Sequence, residues 1–197
     1  MRIASISEDK TLEKRVAITP EITKKYISNG FNVTLSKDYG EHLGFKNQEY
    51  EALGAKLLAD DKEIIANSDI VLQLRLPSDE KLSLLKENQT LIGVLDSHQN
   101  KDKIADLTKK KINNFSLELL PRITRAQSMD ILSSQANLAG YKAVIDSFAY
   151  FQKAIPMMMT AAGTIPAAKV LVVGAGVAGL QAIATAKRMG SIVYATD

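Results

Sequence analysis

The sequence contains no cysteine and only two histidines among its 197 residues. Without cysteine the chain has no disulfide bonds and no thiolate metal ligands, a composition that is typical of a reducing compartment. The histidines, His42 and His98, are far apart, and neither has a second ligand at helical spacing. We therefore exclude disulfide-stabilised folds, and we expect no metal site.

A large charge of one sign and long hydrophobic runs are also missing. The 25 Lys and Arg residues nearly balance the 22 Asp and Glu residues, and the net charge of +3 is too small and too interspersed for a nucleic-acid-binding surface. No run approaches the roughly 20 apolar residues of a membrane span, and the opening "MRIASISEDK" lacks the apolar core of a signal peptide. We expect a soluble protein whose partners are small molecules.

What the sequence does contain is an alternation of short aliphatic segments with amphipathic ones. The aliphatic segments, which predict buried strands, are "RIASI", "NVTLS" (32–36), "DIVLQL" (69–74), "TLIGVL" (90–95) and "INNFSL" (112–117). One of the intervening helical segments, "PEITKKYISNG", has Pro20 in its first turn and Gly30 at its end. This alternation predicts an α/β fold with a doubly wound parallel sheet over roughly residues 1–120.

A longer helical pattern follows, from Gln135 to Ile155, and then a connector, "PMMMTAAGTIPAA", with two prolines and a glycine. We therefore expect three regions: an N-terminal α/β domain over 1–134, a linking helix over 135–155, and the start of a dinucleotide-binding domain over 156–197.

The most informative motif is "KVLVVGAGVAGLQAIATAKRMGSIVYATD", which predicts a complete βαβ unit. Gly174 permits a tight turn, Gly176 lets the backbone approach a pyrophosphate, and Gly179 allows the helix to pack closely on the strand. The helix N-terminus, at Val177 and Ala178, offers free N–H groups to an anion. With a strand before it and a helix after it, this GxGxxG pattern predicts the first βαβ unit of a Rossmann domain.

Asp197 stands at the tip of the second strand of this unit. Its carboxylate is suited to accept hydrogen bonds from both hydroxyls of an adenosine ribose and would repel a 2′-phosphate, which favours NAD(H) over NADP(H). Because a dinucleotide-binding sheet normally has about six strands, we expect the chain to be an N-terminal fragment of a larger protein.

The polar stretch "PRITRAQSMDILSS" (121–134) has two interpretations. Its arginine, amide, carboxylate and hydroxyl groups are able to satisfy the donor and acceptor atoms of a nicotinamide carboxamide. Alternatively, Ser128 or Asp130 caps the following helix while the arginines are solvated. The residue types alone leave both interpretations open.

Several segments resemble the NAD(H)-binding domain I of the alpha subunit of the proton-translocating nicotinamide nucleotide transhydrogenases. They are "EKRVAITPE", "ELLPRITRAQSMDILSSQANLAGYKAVID", "PMMMTAAGTIPAAKVLVVGAGVAGLQAIATAKRMG" and "YATD". The resemblance implies that Arg122, Gln127, Asp130 and Ser133 hold the nicotinamide end of NAD(H), with Gln127 and Asp130 serving catalysis. It also implies that Gly174, Gly176, Val177, Ala178, Gly179 and Asp197 bind the rest of the cofactor.

The resemblance further implies direct hydride transfer between NADH and NADP⁺, with NADP(H) on a separate domain III and a membrane domain II that couples transfer to proton passage. It implies a homodimer at full length, located on the cytoplasmic face of the inner membrane. Hydride transfer needs no base to move a substrate proton, so catalysis rests on positioning two nicotinamide rings.

Alanine dehydrogenase is the main alternative, because "RVAITP" also resembles that family, with Arg15 in place of the arginine that holds the substrate carboxylate. Amino-acid chemistry also needs a lysine and a histidine to exchange protons, and Arg75 and Asp96 stand at those positions. A guanidinium stays protonated and is a poor base, although His98 is only two residues from Asp96. A regulatory NAD sensor without enzyme activity is a third possibility.

Overall fold

The computed structural model describes residues 1–197 and divides into two compact units, residues 1–121 and 122–197. The strands of the first unit are β1 (Arg2–Ser5), β2 (Asn32–Ser36), β3 (Lys56–Leu58), β4 (Ile70–Arg75), β5 (Thr90–Val94) and β6 (Asn113–Ser116). Its helices are α1 (Pro20–Ser28), α2 (Asn47–Ala52), α3 (Asp61–Ala66), α4 (Asp79–Ser83) and α5 (Lys101–Lys109). Short 3₁₀ turns occupy Glu41–Leu43 and Leu117–Leu119.

The six strands form one parallel sheet in the order β3-β2-β1-β4-β5-β6. The chain therefore winds outward from β1 in both directions, and the direction reverses between β1 and β4. This confirms the predicted doubly wound sheet. The five predicted strands lie within one residue of the observed ends, whereas β3 was not predicted.

Alternating side chains of these strands face two separate hydrophobic clusters. Ala4, Val71 and Leu91 belong to one cluster, and Ile3 and Val33 belong to the other. Because apolar side chains leave both faces of the strands, helices must cover the sheet on both sides. The strands consequently read as nearly continuous aliphatic runs in the sequence.

Helix α1 shows how local sequence fixes the ends of an element. The Thr19 hydroxyl accepts a hydrogen bond from the Ile22 N–H at 3.4 Å, Pro20 is the first helical residue, and Gly30 follows the helix with φ of 81°. These are the expected start and stop signals of a helix.

The second unit consists of a long helix, a hairpin and a βαβ unit. Its elements are α6 (Ile131–Tyr150), β7 (Met158–Thr160), β8 (Gly163–Ile165), β9 (Lys169–Val173), α7 (Val177–Arg188) and β10 (Ile192–Thr196), with a 3₁₀ turn at Thr124–Met129. Strands β9 and β10 are parallel, which confirms the predicted βαβ unit, and β7 and β8 form an antiparallel pair within the predicted connector. Val144, Ala182 and Ala186 form its buried core.

Helix α6 begins and ends earlier than the expected range of 135–155. It begins at Ile131 because Asp130 caps it, and it ends where Phe151 turns to extended backbone. Its role as a link between two domains stays a prediction. No helix of the structure combines the length and the apolar character needed to cross a membrane.

Candidate functional site

The glycine-rich loop joins β9 to α7 through a turn that depends on Gly174. This residue has φ of 96°, a backbone conformation that side chains with a β-carbon rarely adopt. Its N–H donates to the Thr196 carbonyl oxygen at 2.7 Å, so the turn is tied to the end of β10. The tight turn predicted for Gly174 is present.

The other two glycines of the motif have different surroundings. A β-carbon on Gly179 would lie 1.8 Å from the Gly174 carbonyl oxygen, so α7 packs on the loop at a distance that only glycine permits. A β-carbon on Gly176 would meet nothing within 4 Å. Contacts within the protein therefore do not require glycine at position 176, and the space in front of its backbone is open to a ligand group such as a phosphate.

Helix α7 begins directly beside this open space. Gly176 is its N-cap and has no side chain to accept a hydrogen bond from the first turn. The N–H groups of Val177, Ala178 and Gly179 belong to that first turn and have no acceptor within the helix. The dipole of this 12-residue helix adds a partial positive charge at the same place, which favours an anion.

Asp197 is part of the loop structure as well as a candidate ligand residue. Its Oδ1 accepts a hydrogen bond from the Ala175 N–H at 3.0 Å. Asp197 is exposed, and its Oδ2 makes no hydrogen bond within the protein. The carboxylate is therefore held beside the glycine loop, and its Oδ2 stays available to a ligand.

The polar segment before α6 ends in a helix cap. Asp130 Oδ1 accepts from the Ser133 N–H at 2.9 Å, and the Ser133 hydroxyl donates to Asp130 Oδ2 at 2.6 Å. These two bonds, followed by the charge of Arg122, lower the pKa of Asp130 below its ordinary value. The residue that caps α6 is thus Asp130 and not Ser128. The side-chain amide of Gln127 is exposed and makes no hydrogen bond within the protein.

A cleft of about 480 Å³ brings the start of α6 and the glycine loop together. Of the residues predicted from the sequence, it is lined by Arg122, Ser133, Gly174, Gly176, Val177, Ala178 and Gly179. Gln127, Asp130 and Asp197 do not line it. Three apolar lining residues, Leu132, Ala136 and Val173, were missed by the sequence analysis. Ala136 follows Leu132 and Ser133 on one face of a helix, and this spacing was the available signal.

The first unit has a second cleft, at the carboxyl ends of its central strands. A bulge in β4 lets Leu74 and Arg75 donate their N–H groups to Glu8 Oε1, at 2.6 and 3.4 Å. Burial raises the pKa of Glu8, although these N–H groups oppose the shift. A β-carbon on Gly93 would lie 2.1 Å from the Gln73 carbonyl oxygen, so the adjoining strand must have glycine opposite the bulge.

The residues relevant to alanine dehydrogenase chemistry lie at this second cleft. Arg15, Arg75 and Asp96 line a space of about 440 Å³. The Arg15 guanidinium makes two bonds to the Glu13 carboxylate, 2.8 Å from Nε to Oε1 and 2.7 Å from Nη2 to Oε2. His98 is exposed and does not line the cleft. Arg75 and Asp96 thus stand where a lysine and a histidine were expected for that chemistry, although Lys103 also lines the cleft.

Comparison with known proteins gives a consistent family assignment. The models for the alanine dehydrogenase/PNT N-terminal and C-terminal domains match residues 5–139 and 143–197. The chain is 47% identical to a Rickettsia prowazekii protein named as the first part of NAD(P) transhydrogenase subunit alpha. The match covers the whole of this chain and 52% of that relative. It is 28% identical to alanine dehydrogenase of Methanococcus maripaludis, again over its whole length and over 53% of that relative.

A solved structure, transhydrogenase from Sinorhizobium meliloti, has a TM-score of 0.92 and 47% identity, covering 99% of this chain and 58% of that one. The chain thus spans about half the length of the curated relatives that it matches. Both domain models together cover nearly all of the sequence. The chain belongs to the alanine dehydrogenase/PNT family.

Proposed function

We propose that this chain is the NAD(H)-binding component of a proton-translocating transhydrogenase. In this proposal hydride passes directly between NADH on this chain and NADP⁺ on a separate domain. The observation that carries the proposal is the glycine loop, in which Gly176 is required by no contact within the protein yet stands beside an uncapped helix N-terminus. The 47% identity to a portion of a transhydrogenase alpha subunit supports the choice of reaction.

The donor and acceptor groups of these residues support the binding of a dinucleotide. The N–H groups at Val177 and Ala178 would bind the pyrophosphate, and Oδ2 of Asp197 would accept from the adenosine ribose. Arg122 and Ser133, across the same cleft, would hold the carboxamide of the nicotinamide. The donors and acceptors of the site therefore match the phosphate, ribose and amide groups in turn.

The protein's contribution to this reaction is positioning. NAD(H), when bound, supplies or accepts the hydride. The side chains of Gln127 and Asp130 would orient the nicotinamide ring, and the cap on α6 would fix Asp130 and Ser133 relative to each other. No residue needs to move a proton at the reacting carbon, so the site requires no general base.

The partners follow from the same proposal. An NADP(H)-binding domain III accepts the hydride, and a membrane domain II couples transfer to proton passage. We propose that the full-length protein is a homodimer at the cytoplasmic face of the inner membrane. The Rickettsia prowazekii relative, whose name describes only a portion of an alpha subunit, supports an assembly of several polypeptides.

An alanine dehydrogenase-like activity is less well supported. Arg75 cannot serve as a base, because a guanidinium remains protonated at ordinary pH. His98 lies outside the cleft that Arg15, Arg75 and Asp96 line. Identity to alanine dehydrogenase of Methanococcus maripaludis is also lower, at 28%.

Nucleotide preference provides a direct test of the cofactor assignment. In the full-length gene product, we expect NADH to bind at least about tenfold more tightly than NADPH, which is roughly 1.4 kcal/mol, because Asp197 would repel a 2′-phosphate. Titration of nucleotide fluorescence measures both affinities. Asp197→Asn is the matched variant, since it keeps an acceptor for the Ala175 N–H while removing the charge, and it should narrow the preference. Equal or tighter binding of NADPH by the unaltered protein would refute the assignment.

A further inference from the structure

Helices α6 and α7 meet at Gly140 at a distance that excludes any side chain. A β-carbon at this position would lie 2.0 Å from the carbonyl oxygen of Ala178 and 2.8 Å from its carbonyl carbon. These are backbone atoms, which cannot rotate aside as a flexible side chain would. Gly140 is buried. The identity of this residue therefore sets how closely the two helices approach.

The face of α6 that contains Gly140 is the face that lines the cleft. Ala136 and Ser133 lie one and two turns before Gly140 and belong to the cleft wall. Val144, one turn after it, is buried together with Ala182 of α7. With a rise of about 1.5 Å per residue, Ser133 is roughly 10 Å from Gly140 along the helix. We therefore expect a change in the separation of α6 from α7 at Gly140 to change the width of the cleft.

A hydrogen bond beside Gly140 fixes the position of the helices along each other. The Asn137 Nδ2 group donates to Gln181 Oε1 at 3.2 Å, and Gln181 Nε2 donates to the Thr185 hydroxyl at 3.1 Å. Asn137 is exposed, so this bond is weaker than a buried one. It nevertheless links α6 to α7 near Gly140.

We propose that Gly140 is a positioning residue for the nicotinamide end of the bound dinucleotide, with the Asn137–Gln181 bond as its supporting contact. The inference rests on the proposed function. Ala178, which Gly140 contacts, lies in the first turn of α7, where the pyrophosphate would bind. Ser133, at the other end of the same helical face, would contact the nicotinamide, together with Asp130, which caps α6 and is hydrogen-bonded to Ser133. Gly140 thus sets the distance between the two halves of the site.

Gly140→Ala in the full-length gene product tests this role. The methyl group must push α6 away from the Ala178 backbone of α7. We expect this to displace Ser133 and Asp130 more than the glycine loop, because the loop is tied to β10 by the hydrogen bond from the Gly174 N–H to the Thr196 carbonyl oxygen. We expect NADH affinity to fall about tenfold, while the affinity for ADP-ribose, which lacks nicotinamide, changes less than about twofold. The rate of hydride transfer at saturating NADH should fall about tenfold as well, because small misplacement of reacting atoms is costly.

A matched control separates positioning from loss of helix stability. Ala139→Gly lies in the same turn, is exposed, and weakens α6 without adding an atom at the helix contact. It should leave the ratio of NADH to ADP-ribose affinity unchanged. If Gly140→Ala lowers both affinities in proportion, or changes neither, Gly140 has no positioning role.

Asn137→Ala provides the second variant in case Gly140→Ala does not fold. It removes the bond to Gln181 and should shift the same affinity ratio by about threefold, in line with the loss of one exposed hydrogen bond. An unchanged ratio in this variant contradicts the inference. Failure of the unaltered protein to bind NADH, in contrast, would refute the proposed function itself.

Discussion

At the scale of single residues, Asp130 shows why residue types and their spacing could not decide between a helix cap and a ligand-binding residue. Both of its oxygens accept hydrogen bonds from Ser133, which establishes the cap. Each carboxylate oxygen has a second lone pair, so capping does not prevent a hydrogen bond to a ligand. The two interpretations that the sequence left open are therefore compatible. Gln127 differs, because its side chain is exposed and makes no hydrogen bond within the protein.

We therefore predict that suitable substitutions at Gln127 and Asp130 impair the positioning of the nicotinamide without lowering the stability of the protein. Gln127→Ala removes an exposed amide without internal bonds, and Asp130→Asn keeps an oxygen for the cap while losing the charge. We expect both variants to change the free energy of unfolding by less than about 0.5 kcal/mol. The rate of hydride transfer should fall about tenfold or more. NADH affinity should weaken by only about 1 kcal/mol, the value of one lost hydrogen bond.

Three measurements on the same full-length variants check this prediction. They are single-turnover hydride transfer, NADH titration and denaturant unfolding. Asp130→Ala serves as the reference, because it removes the cap as well as the charge and should also lose about 1 kcal/mol of stability. Normal single-turnover rates in Gln127→Ala and Asp130→Asn would show that the polar segment is only the entrance to α6.

At the scale of elements, the predictable strands are those of at least four residues whose apolar side chains stand between polar or turn residues. β2 was predicted with its observed ends because "NVTLS" is aliphatic and bounded by turn residues. β3 was not predicted, since Lys56–Leu58 is a three-residue strand at the edge of the sheet. The hairpin of β7 and β8 was also missed. All of its residues are exposed. Because neither face of the hairpin is buried, its sequence has no alternation of apolar and polar residues that would indicate a strand.

The three glycines of the loop between β9 and α7 have different surroundings. Substitution of each one by alanine should therefore have a different effect. Gly174→Ala should cost about 1–2 kcal/mol of stability, since its backbone is left-handed. Gly179→Ala should cost about 1–3 kcal/mol, because its β-carbon would overlap the Gly174 carbonyl. Gly176→Ala should stay within about 0.5 kcal/mol of the unaltered protein, while its NADH affinity falls tenfold or more, roughly 1.4 kcal/mol.

Urea unfolding and NADH titration distinguish the three variants. Gly176→Ala is the informative one, because a methyl group at this position contacts only the space that a pyrophosphate would fill. If Gly176→Ala binds NADH normally, the pyrophosphate does not lie against this portion of the backbone. If it unfolds as readily as Gly179→Ala, the open space beside Gly176 does not exist in solution.

At the scale of the whole molecule, the sequence was sufficient for the fold class and for the glycine loop. Alternating strands and helices imply a parallel sheet, and a strand, GxGxxG and a helix in succession imply a βαβ unit, because both patterns are local. The order of the six strands and the helix contact at Gly140 depend on which elements pack together in three dimensions. The cleft residues Leu132 and Ala136 share a helical face with Ser133, and this spacing is the only signal in the sequence that indicates them.

The central claim is that this chain holds the NADH from which hydride passes directly to NADP⁺ on another domain. The most direct measurement combines the full-length gene product with the NADP(H)-binding domain of its transhydrogenase and follows oxidation of NADH by an NADP⁺ analogue in a single turnover. We predict hydride transfer that requires both components, together with no alanine-dependent reduction of NAD⁺ by the gene product alone. Nucleotide binding without either activity would indicate a regulatory NAD sensor. Pyruvate amination by the gene product alone, without hydride transfer to the NADP⁺ analogue, would contradict the account and assign the protein to alanine dehydrogenase chemistry.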